Sequence, residues 1–225
     1  MKVSSIFFLV LLLTFFAYSQ EEYEEVRKNQ FSILGAVSFP TGDFGETNTQ
    51  KAGFASTGFG VGAEFDIPID ESYSVLTSGI FVANPVDVEG MKTLFQNQFG
   101  SSVNIKAESY SSILLMSGIQ FIGQSSSKSH IFINAQGGFL FGTLPEITLS
   151  SGNAQSNQPS ASTTAFAFAV EGGMILGDRF KIGAKYISAK PKYNVTASGT
   201  GGSISGTIEQ PTSMVLLHIN IGLSK

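Results

Sequence analysis

Ten polar side chains recur at every second position within stretches of glycine, alanine and other small residues. Carboxylates, amines, amides and an imidazole at this spacing share one face of an extended strand. Such a set can form buried salt bridges and hydrogen bonds, or it can line a polar path for a small solute. The residues are Glu64, Asp66, Gln120, Asn134, Gln136, Glu171, Lys181, Lys185, His218 and Asn220.

The residue types argue against catalysis, metal binding and a cofactor. The chain has two histidines, His130 and His218, and no cysteine, so the usual zinc and copper ligand sets are lacking. No Gly-x-Ser-x-Gly nucleophile elbow occurs. The glycines of 58–62 lack the helix and the Lys-Ser/Thr pair that a phosphate cradle requires. A net charge of −4 gives no reason to expect nucleic-acid binding. We predict no catalytic, cofactor-binding or metal-binding residue.

The stretch 164–188 indicates which elements position these groups. Phe166, Phe168 and Val170 alternate with alanines and a glutamate, and after a short turn Phe180 begins a second alternation with lysine and glycine. A period of two puts the bulky side chains on one face of a hairpin and the small or charged ones on the other. A soluble sandwich usually buries its bulky face. Bulky-out and small-polar-in is typical of a barrel wall in lipid.

Eight segments are long enough to cross a membrane as tilted strands, and their alternation is mostly consistent. The third is ambiguous, because Val75 and Phe81 lie on one face while Leu76, Ile80 and Val82 lie on the other. The predicted strands are 31–39, 55–67, 73–83, 110–122, 131–142, 164–176, 180–188 and 213–223. Long connections at 40–54, 84–109, 143–163 and 189–212 alternate strictly with short ones at 68–72, 124–130 and 177–179. This rhythm predicts an all-β fold, an eight-stranded antiparallel up-and-down transmembrane β-barrel with short periplasmic turns and long outer loops.

The N-terminus has the features of a secretory signal peptide. Lys2 precedes an apolar run at 6–16, and small residues precede an expected cleavage site after Ser19. The run is shorter than the roughly 20 residues that span a bilayer as a helix. We predict a signal peptide at 1–19, a flexible acidic leader at 20–30 and an outer-membrane β-barrel at 31–225.

Two segments resemble a known family. Residues 35–45 read Gly-Ala-Val-Ser-Phe-Pro-Thr-Gly-Asp-Phe-Gly and look like a first strand that runs into a P-x-G-D-F-G loop. Residues 58–65 look like the second strand. They resemble the small outer-membrane β-barrel domain family, the OmpA- and OmpW-like eight-stranded barrels of Gram-negative bacteria. The resemblance covers essentially 31–225. It implies this fold and the cell outer membrane, and it transfers no catalytic residue.

The polar face of the barrel is expected to fill its interior, because eight strands leave room for little more than their own side chains. Pairing across the turn at 177–179 puts Glu171 opposite Lys185 and predicts a salt bridge between them. The alternative for the same polar set is a narrow path for a small solute.

Two features of the long connections carry a further prediction. Apolar residues at helical spacing in 84–109 fit either a short amphipathic helix over the barrel rim or a loop that tucks these side chains into its own fold. They are Val88, Met91, Leu94, Phe95 and Phe99. The alternation in 194–208 is interpreted as an extension of the last hairpin beyond the membrane.

Three functions fit these patterns. The favoured one is a non-enzymatic structural or surface-interaction protein with a side-chain-filled polar lumen. The second is a small porin-like channel or transporter for apolar or small solutes, which would use a continuous cavity lined by Leu34, Leu114 and Leu140. The third is a secreted soluble β protein. The expected partners are outer-membrane lipid, the barrel-assembly machinery during insertion and a surface ligand of unspecified chemistry, with the chain a monomer.

Overall fold

The computed structural model describes residues 28–49, 52–99, 103–126, 129–151, 154–177, 179–200 and 202–223. The predicted signal peptide at 1–19 lies outside the described residues, as does most of the predicted leader. The strands are β1 Gln30–Thr41, β2 Gly58–Pro68, β3 Tyr73–Asn84, β4 Asn104–Ala107, β5 Tyr110–Ser126, β6 Ser129–Leu144, β7 Ile147–Ser151, β8 Ala154–Gln158, β9 Ala161–Leu176, β10 Phe180–Ala189, β11 Lys192–Gly199, β12 Gly202–Glu209 and β13 Thr212–Gly222. One α-helix, α1, spans Val88–Phe99, and one turn of 3₁₀-helix spans Gly42–Phe44.

Eight of these strands form a closed antiparallel barrel in the order β1, β13, β10, β9, β6, β5, β3, β2. Closure comes from the pairing of β1 with β13, which runs from Ser32 opposite Gly222 to Thr41 opposite Ser213. The fold class predicted from the alternation and the loop rhythm is therefore confirmed. We call the end with the connections after β2, β5 and β9 the short-turn end, and the opposite end the long-loop end.

The two faces of the wall carry the side chains that the alternation predicts. Phe166 is 67% exposed on the outside, whereas its neighbour Ala167 is 0% exposed inside. Ile133 and Asn134 divide in the same way, at 55% and 3%. The third strand had no clear polarity in the sequence. In the structure Phe81 faces outward, and Ile80 and Val82 are buried inside.

Five further strands form a second sheet at the long-loop end, in the order β12, β11, β8, β7, β4, which we call the outer sheet. The pairing of β10 with β13 reaches Ala189 opposite Thr212, and β11 and β12 continue the same register from Lys192 opposite Glu209. The predicted extension of the last hairpin is confirmed. The strands β4, β7 and β8 lie in segments that the sequence pattern assigns only to loops.

Helix α1 lies in the connection at 84–109. Of the two alternatives for its apolar residues, the structure has the amphipathic helix. The Asp87 carboxylate accepts a hydrogen bond from the Gly90 backbone N–H at 2.9 Å and so caps the first turn. Met91 is buried in a small apolar cluster with Phe54 and Ile105, so the helix covers β4. Within the described ranges, no helix is long and apolar enough to span a membrane.

We predict that Leu114→Ala destabilises the barrel much more than Leu115→Ala. The adjacent side chains are 0% and 52% exposed, so the first change empties space inside the barrel and the second only trims its outer face. We expect a loss of about 2–5 kcal/mol for Leu114→Ala. Urea unfolding in detergent micelles measures both variants, and equal losses would contradict the assigned faces.

Candidate functional site

A buried charged cluster lies inside the barrel, on the side nearer the short-turn end. It joins β2, β9, β10 and β13, each of which turns alternate residues inward. Its members are Glu64, Glu171, Lys181, Lys185, His218 and Asn220. Within the cluster Lys185 is 0% exposed, although it carries a flexible and strongly hydrated side chain.

Two glycines leave the space that this cluster occupies. A Cβ on Gly183 would lie 2.9 Å from the His218 ring nitrogen Nε2. A Cβ on Gly173 would lie 2.7 Å from the Gly183 Cα and 2.8 Å from the Phe132 ring. Glycine at these inward positions therefore lets the neighbouring strands and their long polar side chains approach each other.

Two lysines and two glutamates form a closed ring of ion pairs. Lys185 Nζ lies 2.9 Å from Glu64 Oε1 and 3.0 Å from Glu171 Oε2. Lys181 Nζ lies 3.0 Å from Glu64 Oε2 and 2.9 Å from Glu171 Oε1. Each amine bridges both carboxylates, so these four groups have no net charge. Buried charges are tolerated when paired in this way.

The register predicted for the β9–β10 hairpin is confirmed, because Lys185 lies opposite Glu171 and forms an ion pair with it. The sequence argument placed Glu64 on the inner face but did not predict its pairing with Lys185. Glu64 comes from β2, and only closure of the barrel brings it to Lys185.

His218 and Asn220 extend the ring along β13. Asn220 donates from Nδ2 to a Glu64 carboxylate oxygen. The Asn220 amide oxygen lies 2.8 Å from His218 Nδ1, and Glu171 Oε1 lies 3.2 Å from His218 Nε2. Both ring nitrogens thus face oxygen acceptors. A neutral imidazole donates from one nitrogen only. Lys181 Nζ also lies 4.4 Å from the centre of the Phe132 ring, within cation–π range.

The other four predicted residues form two separate hydrogen-bonded pairs. Gln120 donates to Asp66 Oδ2 at 3.1 Å, and Gln136 donates to Asn134 Oδ1 at 3.2 Å. Ser78 donates to Gln136 Oε1 at 3.1 Å. All ten predicted residues therefore face inward, but six of them form the ionic cluster and the other four form two separate pairs.

The interior nearer the long-loop end is mainly apolar, with Ser38 and Asn84 hydrogen-bonded to each other among its aliphatic side chains, which corrects the expectation of a polar lumen. Its residues pack together in one buried cluster that includes Leu34, Ile80, Val82, Leu114, Met116, Leu140, Ile187, Met214 and Leu216. Tyr193 of β11 joins this cluster, and burial raises its pKa to about 12. The sequence placed Leu34, Leu114 and Leu140 on the inner face as the lining of a cavity, whereas the structure packs them into a solid layer.

The outer sheet and α1 border a cavity of about 1070 Å³ at the long-loop end, which is partly open to solvent. Its lining combines apolar residues, including Phe54, Met91, Leu94, Tyr110, Ile147 and Leu149, with polar ones that include Asp43, Gln158, Lys190 and Glu209. At the short-turn end, the space beside Glu64 and Lys181 measures only about 20 Å³. That is room for about one water molecule. Among the described residues no group of three or more His, Asp or Glu side chains is placed to hold a metal ion.

Comparison with known proteins finds similar solved structures of outer-membrane proteins. The attachment invasion locus protein Ail of Yersinia pestis is 14% identical, with 87% of this chain and 97% of that chain covered and a TM-score of 0.45. OprG of Pseudomonas aeruginosa is 8% identical, with 91% and 100% covered and a TM-score of 0.49. The N-terminal β-barrel domain of OprF from the same organism is 10% identical, with 88% and 100% covered and a TM-score of 0.43. No family model matches the chain, and no curated protein matches its sequence.

We predict that Lys185→Met destabilises the barrel by about 3–5 kcal/mol, because it leaves two buried carboxylates with one lysine. The second variant is Lys185→Met with Glu171→Gln, which restores charge balance and should regain a substantial part of that loss. Lys192→Met removes the exposed pair with Glu209 (3.5 Å apart) and should cost under about 1 kcal/mol. Urea unfolding in detergent compares the three. Equal losses for Lys185→Met and Lys192→Met would rule out a stabilising ring.

Proposed function

We propose that this chain is a non-enzymatic protein of the cell outer membrane, exported by its N-terminal signal peptide, with a structural or surface-interaction role. One observation carries the proposal. The closed barrel turns large apolar side chains outward on all eight strands, and a soluble protein would have to expose them to water. Lipid is the solvent in which such a wall is stable, because closure pairs the main-chain groups of every strand.

The outward residues include aromatic and aliphatic side chains from every barrel strand. Examples with about half of their surface exposed are Ile33, Phe59, Ile113, Ile133, Phe168, Ile182 and Ile219. Exposed apolar area on this scale is exceptional for a soluble monomer. It disfavours the secreted soluble alternative and supports outer-membrane lipid as the partner of the barrel wall. The barrel-assembly machinery is the expected partner during insertion.

The interior supports a role without conduction. The ionic ring and the apolar layer lie one after the other along the barrel, and both are made of tightly buried side chains. The polar groups of the ring already bind one another. We infer that the polar residues stabilise the barrel from inside and that the chain works as a monomer within its own membrane.

The long-loop end supports a surface role. Three of the four long connections contribute strands to the outer sheet. This end is therefore an ordered surface that is large enough to bind a ligand or a partner. The short-turn end offers only brief connections. We assign the long-loop end to the cell exterior and the short-turn end to the periplasm.

A second candidate function is supported by the cavity of about 1070 Å³ under the outer sheet. The apolar part of its lining offers a binding surface to an apolar or small solute, and transport would then continue sideways through the wall, because Leu34, Leu114 and Leu140 are packed solid below. Ligand pockets in proteins typically measure about 300–1000 Å³, so the volume suffices for a whole small molecule.

We predict that Ser198→Cys on β11 reacts with a membrane-impermeant thiol reagent in intact cells. The chain has no native cysteine, so the new thiol is the single target. His130→Cys, at the short-turn end, should react only after the outer membrane is permeabilised. Mass shift on a gel measures both, and the reverse pattern of labelling would overturn the assigned orientation.

We predict no unitary current when the purified chain is inserted into planar lipid bilayers, because the ring and the apolar layer leave no continuous water path. A known porin added afterwards to the same bilayer controls for sensitivity. Reproducible current steps that depend on the added chain would instead favour the channel function.

A further inference from the structure

The two edges of the outer sheet are protected to different degrees. At one edge, β4 is four residues long, contains Lys106 and is covered by α1. Short length, a lysine and a covering helix are devices by which proteins keep an edge strand from pairing with other chains. At the other edge, β12 is eight residues long, every residue in it is exposed, and it contains no lysine or proline. One edge is blocked and the other is open.

The open edge presents unpaired main-chain groups. Gln210 N donates to Pro191 O at 3.1 Å, and from this pair the hydrogen-bonded pairs alternate along the hairpin to Gly199 opposite Gly202. Ser203, Ser205, Thr207 and Glu209 therefore direct their N–H and C=O groups away from β11. Within the described part of the chain, the sheet order has no strand beyond β12. These groups can pair with one additional strand.

The side chains of β12 are arranged so that the strand fits a second copy of itself. Antiparallel pairing centred on Gly206 puts Ile204 opposite Ile208 of the second copy, on one face. On the other face Ser205 lies opposite Thr207, and Ser203 lies opposite Glu209. No like charges oppose each other, and the paired isoleucines are 77% and 40% exposed in the single chain. The register forms about eight main-chain hydrogen bonds.

We propose that β12 is a homotypic docking strand that pairs antiparallel with β12 of a second copy. The proposal rests on the proposed membrane location for its setting. In each copy β12 runs from the hairpin tip at Gly202 toward its own barrel, where β13 follows. Copies in one membrane therefore carry β12 in the same direction. In an antiparallel pair the two β12 strands run in opposite directions, so the two barrels lie on opposite sides of the pair. The pairing therefore joins copies that lie in two apposed membranes.

The pairing is tested by disulfide cross-linking between two populations of phosphatidylcholine vesicles that carry the full-length mature chain with different affinity tags. Gly206→Cys supplies the only thiol, and a Cβ at this position meets no atom within 4 Å. In the proposed register the two Cα atoms at 206 are about 4.5 Å apart. That separation lies within the range that a disulfide bridges. Oxidation should give a dimer that carries both tags.

Ser203→Cys is the matched control, because in this register its two copies lie about 20 Å apart along the strands. We expect at least about tenfold less dimer than with Gly206→Cys. Efficient cross-linking of both variants, within one population, would indicate parallel pairing in one membrane and overturn the proposal.

A charge exchange on the Gly206→Cys background tests the register without relying on a single thiol. Ser205→Lys with Thr207→Lys sets lysines opposite each other and should reduce the dimer at least about tenfold. Ser205→Lys with Thr207→Glu sets opposite charges together and should retain it. Both double variants lose the same hydroxyl contacts to Thr196 and Asn194. Equal yields from both would overturn the register.

Alkaline carbonate extraction of the same vesicles distinguishes failure of the membrane location from failure of the homotypic pairing. If the chain is extracted, the membrane location fails. If it stays in the vesicles and Gly206→Cys forms no dimer with both tags, the location stands and the homotypic pairing is overturned.

Discussion

A barrel wall in lipid has no water to satisfy its main-chain N–H and C=O groups, so each strand must have two neighbours. In this chain the requirement is met when β1 pairs with β13 and removes the last free edges of the sheet. Closure at eight strands also sets the width of the interior, which admits only a few side chains at each level. The small residues on the inner face and the dense packing inside both follow from this one constraint.

The narrow interior is filled in two different ways along the barrel axis. Nearer the short turns, two lysines and two glutamates compensate one another, Asn220 donates a hydrogen bond to Glu64, and His218 lies beside Glu171. Nearer the long loops, aliphatic side chains pack as in a soluble core. The ionic ring depends on exact partners, since removing one leaves a buried charge, whereas the apolar layer depends on volume. Together they favour stability over conduction.

The outer sheet shows how the barrel builds a surface from its own hairpins. The β10–β13 ladder continues into β11–β12 in one register, so the outermost strand is held at a defined angle by the wall itself. The two edges of the outer sheet differ, because β4 is short and covered by α1 whereas β12 is longer and fully exposed. A strand that is fixed in place and left unpaired provides a geometric surface for recognition, which a mobile loop would not.

The sequence by itself determined what depends on neighbouring residues. Alternation with a period of two fixed which side chains share a face, and a three-residue turn fixed Glu171 opposite Lys185. The spacing of Met91 and its apolar neighbours allowed either α1 or a loop, and the structure has the helix. Only the tertiary structure decided what depends on closure and on distant segments. Glu64 reaches Lys185 from a strand 121 residues earlier. The sequence placed Leu34, Leu114 and Leu140 on the inner face, but their packing into one layer depends on side chains from other strands. The strands β4, β7 and β8 are four or five residues long and carry few apolar residues. They are held by pairing with one another and by the packing of Ile105, Ile147 and Leu149 in the apolar cluster under α1.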